Sequence, residues 1–149
     1  MSPVRHRPAT LDDARRLFEL RRKSIIALAP KAMPPGQAQR WAAGLTVAGM
    51  ARKIQMLEIW IAELNGTAAG WGAIRGDRLE GLYTDPEFAG QRIGSELLGL
   101  LEGLMRNRGI RTVRADASPN AEQFYLRRDY QPNGLPTAEG ARPIIKQLT

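Results

Sequence analysis

The spacing of apolar positions changes several times along the chain, and each change marks an element. Residues 3–9 read as a short first strand leading to Thr10, with Asp13 three positions later in the arrangement of a capping box. Leu11, Ala14, Leu17, Phe18, Ile25 and Leu28 keep helical spacing, with Arg21 the polar exception, which predicts a helix over 11–28. Pro30, Pro34, Pro35 and Gly36 break it. A shorter helical piece is expected over 37–44, and Thr46 is placed to cap another from Val47 to Gln55.

A strand meander follows. Glu58–Leu64 closes on Asn65-Gly66, a strong hairpin signal, and Thr67–Arg75 is the return strand. Gly76-Asp77 makes a second two-residue turn, and Arg78–Thr84 is a third strand that ends at Asp85-Pro86. Beyond a glycine-containing loop, Ile93, Leu97, Leu98, Leu101, Leu104 and Met105 form the apolar stripe of a helix ending at Gly109. Gly99 and Gly103 on that helix read either as close-packing points or as tolerated glycines. Then come a strand over 111–118, a short helix opened by Pro119-Asn120, and a closing strand pair over 130–135 and 142–148. This order predicts one α+β domain over 1–149. Its sheet would be mixed and mostly antiparallel, with about six to seven strands flanked by about four helices.

Composition removes several chemistries. The chain has 149 residues, no cysteine and a single histidine. Disulfides and thiolate nucleophiles are thereby excluded, and no metal site is expected. His6 lies between Arg5 and Arg7 and reads as an ordinary surface or edge residue. No apolar run approaches the roughly 20 residues of a membrane span, and no apolar stretch follows Arg5 and Arg7 as in a secretion signal. The expectation is a cytoplasmic protein with no membrane partner. The formal net charge of +7 favours anionic partners, phosphate-bearing cofactors among them. The basic residues are scattered apart from Arg15-Arg16, Arg21-Arg22-Lys23 and Arg127-Arg128. No aromatic-interleaved basic patch stands out, so nucleic acid is not the expected partner.

The segment Leu82 to Leu98 carries the most chemistry. A strand ends, a loop with Gly90 and Gly94 follows, and a helix begins. Helix N-termini present free N–H groups and a positive dipole end, glycine lets backbone approach a phosphate, and Arg92 adds charge. The segment fits neither the P-loop nor a dinucleotide fingerprint. On chemistry alone it reads as a phosphate-binding turn, although similar loops occur in folds that bind nothing.

The segment resembles the pyrophosphate loop of the GNAT superfamily of N-acetyltransferases, usually Arg/Gln-x-x-Gly-x-Gly/Ala. Gly94 matches the final glycine and Gly90 a common extra one. Arg92 stands where the middle glycine is usual, and Ala89 where Arg or Gln is usual. Downstream, Asn120, Ala121, Phe124 and Tyr125 match the phrase Asn-Ala-x-x-Phe-Tyr, with Asp129-Tyr130 in place of Gly-Phe. The Arg7–Asp13 phrase and the Trp60–Gly66 strand are also similar to the superfamily.

The resemblance implies acetyl-CoA as co-substrate, held in a V-shaped gap between the strands at 78–84 and 111–117. Backbone groups of Leu82, Tyr83 and Thr84 would hold the pantetheine and acetyl carbonyl. The turn Ala89-Gly90-Gln91-Arg92-Ile93-Gly94-Ser95 would hold the pyrophosphate, and Asn120 would contact the cofactor. An amine acceptor, a small molecule or a peptide, would attack directly in a ternary complex. Tyr125 matches the family's general acid, the alternative being a tyrosine that only packs. Glu80 is the candidate base, with water-mediated transfer and a merely solvated carboxylate as alternatives. Strand alternation places it on the face of Leu82 and not of Tyr83. Acceptor specificity is expected from 24–45, with Ser24, Met33, Trp41, Trp60 and Trp71 as candidates, though each tryptophan is more often a core residue than a ligand contact. A homodimer is the expected assembly. The rival reading is a GNAT-fold module without turnover that binds CoA or an anionic partner such as nucleic acid.

Overall fold

The computed structural model describes residues 4–28, 36, 40 and 43–149. Most of the helical piece expected over 37–44 lies outside the described residues, as do Met33 and Trp41. Strand β1 (Val4–Pro8) leads to Thr10, whose N–H donates to the Asp13 carboxylate at 2.8 Å, the return half of a capping box. The first turn, Leu11–Asp13, is 3-10, so the regular helix α1 starts three residues later than its apolar stripe suggests and spans Ala14–Leu28. Helix α2 is Val47–Met56, capped by Thr46, whose Oγ1 accepts from the Gly49 N–H at 2.9 Å.

The meander forms as expected from β2 (Glu58–Leu64), β3 (Thr67–Arg75) and β4 (Arg78–Thr84). Helix α3 (Ile93–Asn107), β5 (Thr112–Ala117), α4 (Glu122–Leu126), β6 (Gln131–Pro132) and β7 (Arg142–Gln147) complete the order. β6 is shorter than its expected span, in keeping with a proline that cannot donate to a ladder. The seven strands form one sheet in the order β1-β2-β3-β4-β5-β7-β6. All neighbours are antiparallel except β4 and β5, which α3 connects as a crossover.

Helices cover both faces. Leu17 and Leu20 of α1 and Met50 of α2 pack on Ile59, Ile61, Trp71 and Ala73. On the other face, Leu98, Leu101 and Met105 of α3 pack on Ile74, Leu79 and Val113. The start of α3, Ile93 and Leu97, covers Ala62, Leu64 and Ala69. Close approach of α3 to the sheet depends on β3 rather than on the helix. A Cβ at Gly70 would lie 2.8 Å from Ile93 Cγ2, and one at Gly72 would lie 2.6 Å from Leu101 Cδ1. Gly99 and Gly103 on α3 face open space.

The position of β4 sets up the site. The parallel pairing of β4 with β5 covers only Arg78↔Arg114 and Leu79↔Ala115, after which the strands part. At the same point the register between β3 and β4 slips. Ile74 pairs with Leu79 and Ala73 with Gly81, leaving Glu80 as an extra, bulged residue. Alternation restarts after it. Leu79 and Leu82 both pack toward α3, while Tyr83 lies on Trp71 on the α1 face, with ring centroids 4.8 Å apart. Glu80 therefore does not follow the alternation expected from the sequence, because a bulge sits at Glu80 itself.

Candidate active site

Two adjoining cavities lie along the open edge of β4. One, of about 500 Å³, passes through the split between β4 and β5. Its walls bring together Glu80, Leu82 and Tyr83 from β4, Ala115 and Ala117 from β5, and Asn120 and Tyr125 from the segment around α4. Arg21 and Ser24 of α1 line it from the opposite face of the sheet. A second cavity of about 420 Å³ is lined by Thr84, Ala89, Gly90, Arg92, Ile93, Gly94 and Ser95, with Phe124 and Arg128. The site residues expected from the sequence thus gather at two neighbouring chambers. Gln91, exposed in the turn, lines neither.

The second chamber has the form of an anion cradle. Gly90 has φ 81°, and Arg92, the residue before α3, sits in the left-handed region at φ 62°, ψ 22°. A side chain there costs on the order of 1 kcal/mol, and the usual middle glycine would avoid that cost. The turn leaves the first N–H groups of α3 without intrahelical acceptors, facing the chamber's end of the helix dipole. The Arg92 side chain is exposed.

Asp85 anchors this turn. It is fully buried, and its carboxylate accepts from the Glu87 N–H at 3.0 Å, from Arg16 at 2.7 Å and from Lys23 at 3.1 Å. Burial pushes its pKa up, but the Glu87 N–H and the Arg16 and Lys23 partners outweigh that and hold it below the usual carboxylate range. The sequence shows Asp85 only as a strand terminator. Arg128 is a second residue that sequence reasoning missed, noting it only as half of the Arg127-Arg128 pair. Its Nε donates to Ser95 Oγ at 3.1 Å, a second guanidinium nitrogen donates to the same oxygen, and Nη1 donates to the Phe124 carbonyl at 2.8 Å. The guanidinium stacks 3.7 Å over the Phe124 ring. Burial, then the charges of Arg127 and Arg92, lower its pKa, as expected where positive charge gathers.

Tyr125 stands at the other chamber. It is buried, with its ring edge-on to Phe124 and Tyr130 at 5.2 and 5.3 Å. Its hydroxyl lies at the cavity wall and has no hydrogen-bond partner among the described residues. Burial, with a smaller contribution from Tyr83, pushes the phenol's pKa up, so the hydroxyl keeps its proton at neutral pH. Glu80 is one-third exposed, with an oxygen 3.8 Å from Arg78 Nε. Of the described acceptor candidates, only Ser24 reaches the cavity. Trp71 is core and donates to the Leu17 carbonyl at 3.1 Å, and Trp60 packs on the α3 side while donating to Glu58 at 2.9 Å.

Comparison with known proteins agrees with this geometry. The family model for the acetyltransferase (GNAT) domain matches residues 30–142. Among solved structures, a GCN5-related N-acetyltransferase from Rhodopseudomonas palustris is 28% identical with a TM-score of 0.88, covering 99% of this chain and 97% of that one. PaiA N-acetyltransferase from Thermoplasma acidophilum, in complex with coenzyme A, is 20% identical with a TM-score of 0.83 over 99% of this chain and 100% of its own. N-acetylglutamate synthase from Neisseria gonorrhoeae, complexed with coenzyme A and N-acetyl-glutamate, is 19% identical with a TM-score of 0.74. It is matched over 100% of this chain but only 36% of its own length. No curated protein matches the sequence.

This chain belongs to the GNAT acetyltransferase family. Its seven-stranded mixed sheet matches the fold of those neighbours. Among the described residues no helix is long and apolar enough to cross a membrane, and no group of three or more His, Asp or Glu could hold a metal ion.

Proposed function

We propose that the chain, as one domain, transfers the acetyl group of acetyl-CoA to a primary amine by direct attack within a ternary complex. The observation that carries this is Tyr125, its ring buried and its hydroxyl without a hydrogen-bond partner among the described residues, at the wall of a cavity running through the split sheet. The coenzyme A in two of the structural neighbours supports the choice of donor. The diphosphate would lie on the N–H groups from Gly90 to Ser95 and the pantetheine along Leu82, Tyr83 and Thr84, with Asn120 alongside.

In this reading the amine nitrogen adds to the thioester carbonyl carbon, and strand N–H groups stabilise the oxyanion. The carbon–sulfur bond then breaks. Tyr125 gives its proton to the departing thiolate, and the proton shed by the amine restores it through water or Glu80. A phenol held protonated by burial suits that donor role. Because Glu80 is the bulged residue at the mouth of the split, it reaches the cavity despite lying off the alternation of the strand.

Thiol release with acetyl-CoA and a panel of amines tests the assignment. Tyr125→Phe should lower kcat by roughly a hundredfold or more, the range for a lost acid catalyst, while acetyl-CoA affinity stays within about threefold. Equal rates in the two proteins would remove Tyr125 from the reaction.

A further inference from the structure

The wall of the cavity facing α1 carries charge that nothing in the described structure neutralises. Arg21 and Ser24 lie one turn apart on the same face of α1, and both line the cavity. The Arg21 guanidinium sits 5.6 Å from the centroid of the Tyr83 ring, a placement that holds the group while leaving its N–H edge free. Among the described residues no carboxylate pairs with it. Arg40 also lines the cavity, again with no acidic partner among the described residues. Ser24 is 3% exposed, and its hydroxyl has no hydrogen-bond partner among them either. Ser24 lines the cavity, so its hydroxyl is available to a bound group there.

The acidic groups at this cavity are disposed differently. Glu80 and Asp116 both face Arg78, at 3.8 and 3.1 Å. Glu139, exposed on the connection between β6 and β7, also lines the cavity. The unneutralised Arg21 therefore sits on the helix wall, and the carboxylates sit on the strands and the β6–β7 connection. The cavity, of about 500 Å³, has room for a thioester arm together with a small acceptor.

Building on the proposed acetyl transfer, we infer that the acceptor is a small amino-acid-like amine whose carboxylate is bound by Arg21 and Ser24, with Arg40 adding charge. A planar guanidinium matches a carboxylate with two parallel hydrogen bonds, and the Ser24 hydroxyl completes a third. The ammonium end then points toward the strand side, where Glu80 and Glu139 lie and the thioester arrives. A polyamine has no counterpart for the arginine wall, and its second cation would be repelled there.

The test is steady-state thiol release with L-amino acids, each measured beside its carboxamide and its decarboxylated amine, with spermidine as a polycation probe. Wild type should favour at least one free carboxylate over its amide by roughly tenfold to a hundredfold in kcat/KM, the value of a charge-assisted contact. In Arg21→Gln that preference should collapse to within about threefold through KM, with the KM for acetyl-CoA unchanged. Arg21→Lys should restore part of it. Arg15→Gln removes the same charge from the exposed side of α1 and should leave the preference intact. Comparable kcat/KM for acids, amides and spermidine would overturn the inference while leaving acetyl transfer standing. Coenzyme A binding with no thiol release from any amine would overturn acetyl transfer and this inference with it.

Discussion

Asp85→Asn probes whether one buried carboxylate holds the two walls of the cleft in register. Arg16 and Lys23 reach Asp85 from α1, the helix that also carries Arg21 and Ser24. The Glu87 N–H reaches it from the segment that leads into the anion cradle. Removing one member of a buried ion pair costs about 3–5 kcal/mol when the partner is stranded. Arg16 and Lys23 are 31% and 41% exposed and can recover water, so the expected loss is smaller, about 2–3 kcal/mol.

Urea denaturation should show the midpoint falling with an unchanged slope. The pH dependence has a definite sign. The Asp85 pKa is depressed in the folded protein, below an ordinary value of 3.8. Its contribution is then complete above that value and is lost as the pH falls through the folded pKa. The stability gap between wild type and Asp85→Asn should accordingly close on the acid side. Because the tether joins α1 to the cradle, KM values for donor and acceptor should rise together. A loss below about 0.5 kcal/mol, or a gap that widens on acidification, would refute the assignment of Asp85 as the tether.

Three further substitutions separate packing from binding. Gly70→Ala places a methyl 2.8 Å from Ile93 Cγ2 and 3.0 Å from the Tyr83 carbonyl oxygen, which is backbone and cannot swing aside. It should cost about 1–3 kcal/mol and raise the KM for acetyl-CoA, and unchanged thermal stability and KM would contradict it. Arg92→Gly removes left-handed strain of about 1 kcal/mol, partly offset by greater freedom in the unfolded chain, so Tm should change little. Calorimetry should nonetheless show severalfold weaker coenzyme A binding, with a shallower salt dependence. Tyr130→Phe deletes the bond from its hydroxyl to the buried Glu102 at 2.7 Å, while Lys146 still donates to Glu102 at 2.9 Å. Denaturation should register about 1.5–3 kcal/mol, with kcat unchanged.

What could be read from the sequence was local. Asn65-Gly66 declares its hairpin because the left-handed conformations it needs are properties of those two residues, at φ 54° and 82°. The stripe from Ile93 to Met105 declares α3 because helical spacing needs no partner to be visible. The features of the site that escaped depend on a second element. The bulge at Glu80 is a relation between β3 and β4, so alternation counted along β4 alone does not assign the carboxylate a face. Asp85 looks like a strand stop because its charged partners lie 69 and 62 residues upstream on α1. Arg128 looks like surface charge until α4 brings it to Ser95, 33 residues away.

Arg21 follows the same logic in its strongest form. On the apolar stripe of α1 it is a polar residue where packing calls for an aliphatic one, an inconsistency with no local explanation. Once Tyr83 lies beneath it and the strands part beside it, the same inconsistency becomes a cation held at the edge of an open cavity. Core packing would have selected leucine there. A guanidinium in that place, on the same helix face as a Ser24 hydroxyl with no hydrogen-bond partner among the described residues, suits a site for an anionic group. This makes Arg21 a sharper discriminator of the acceptor than any of the three tryptophans.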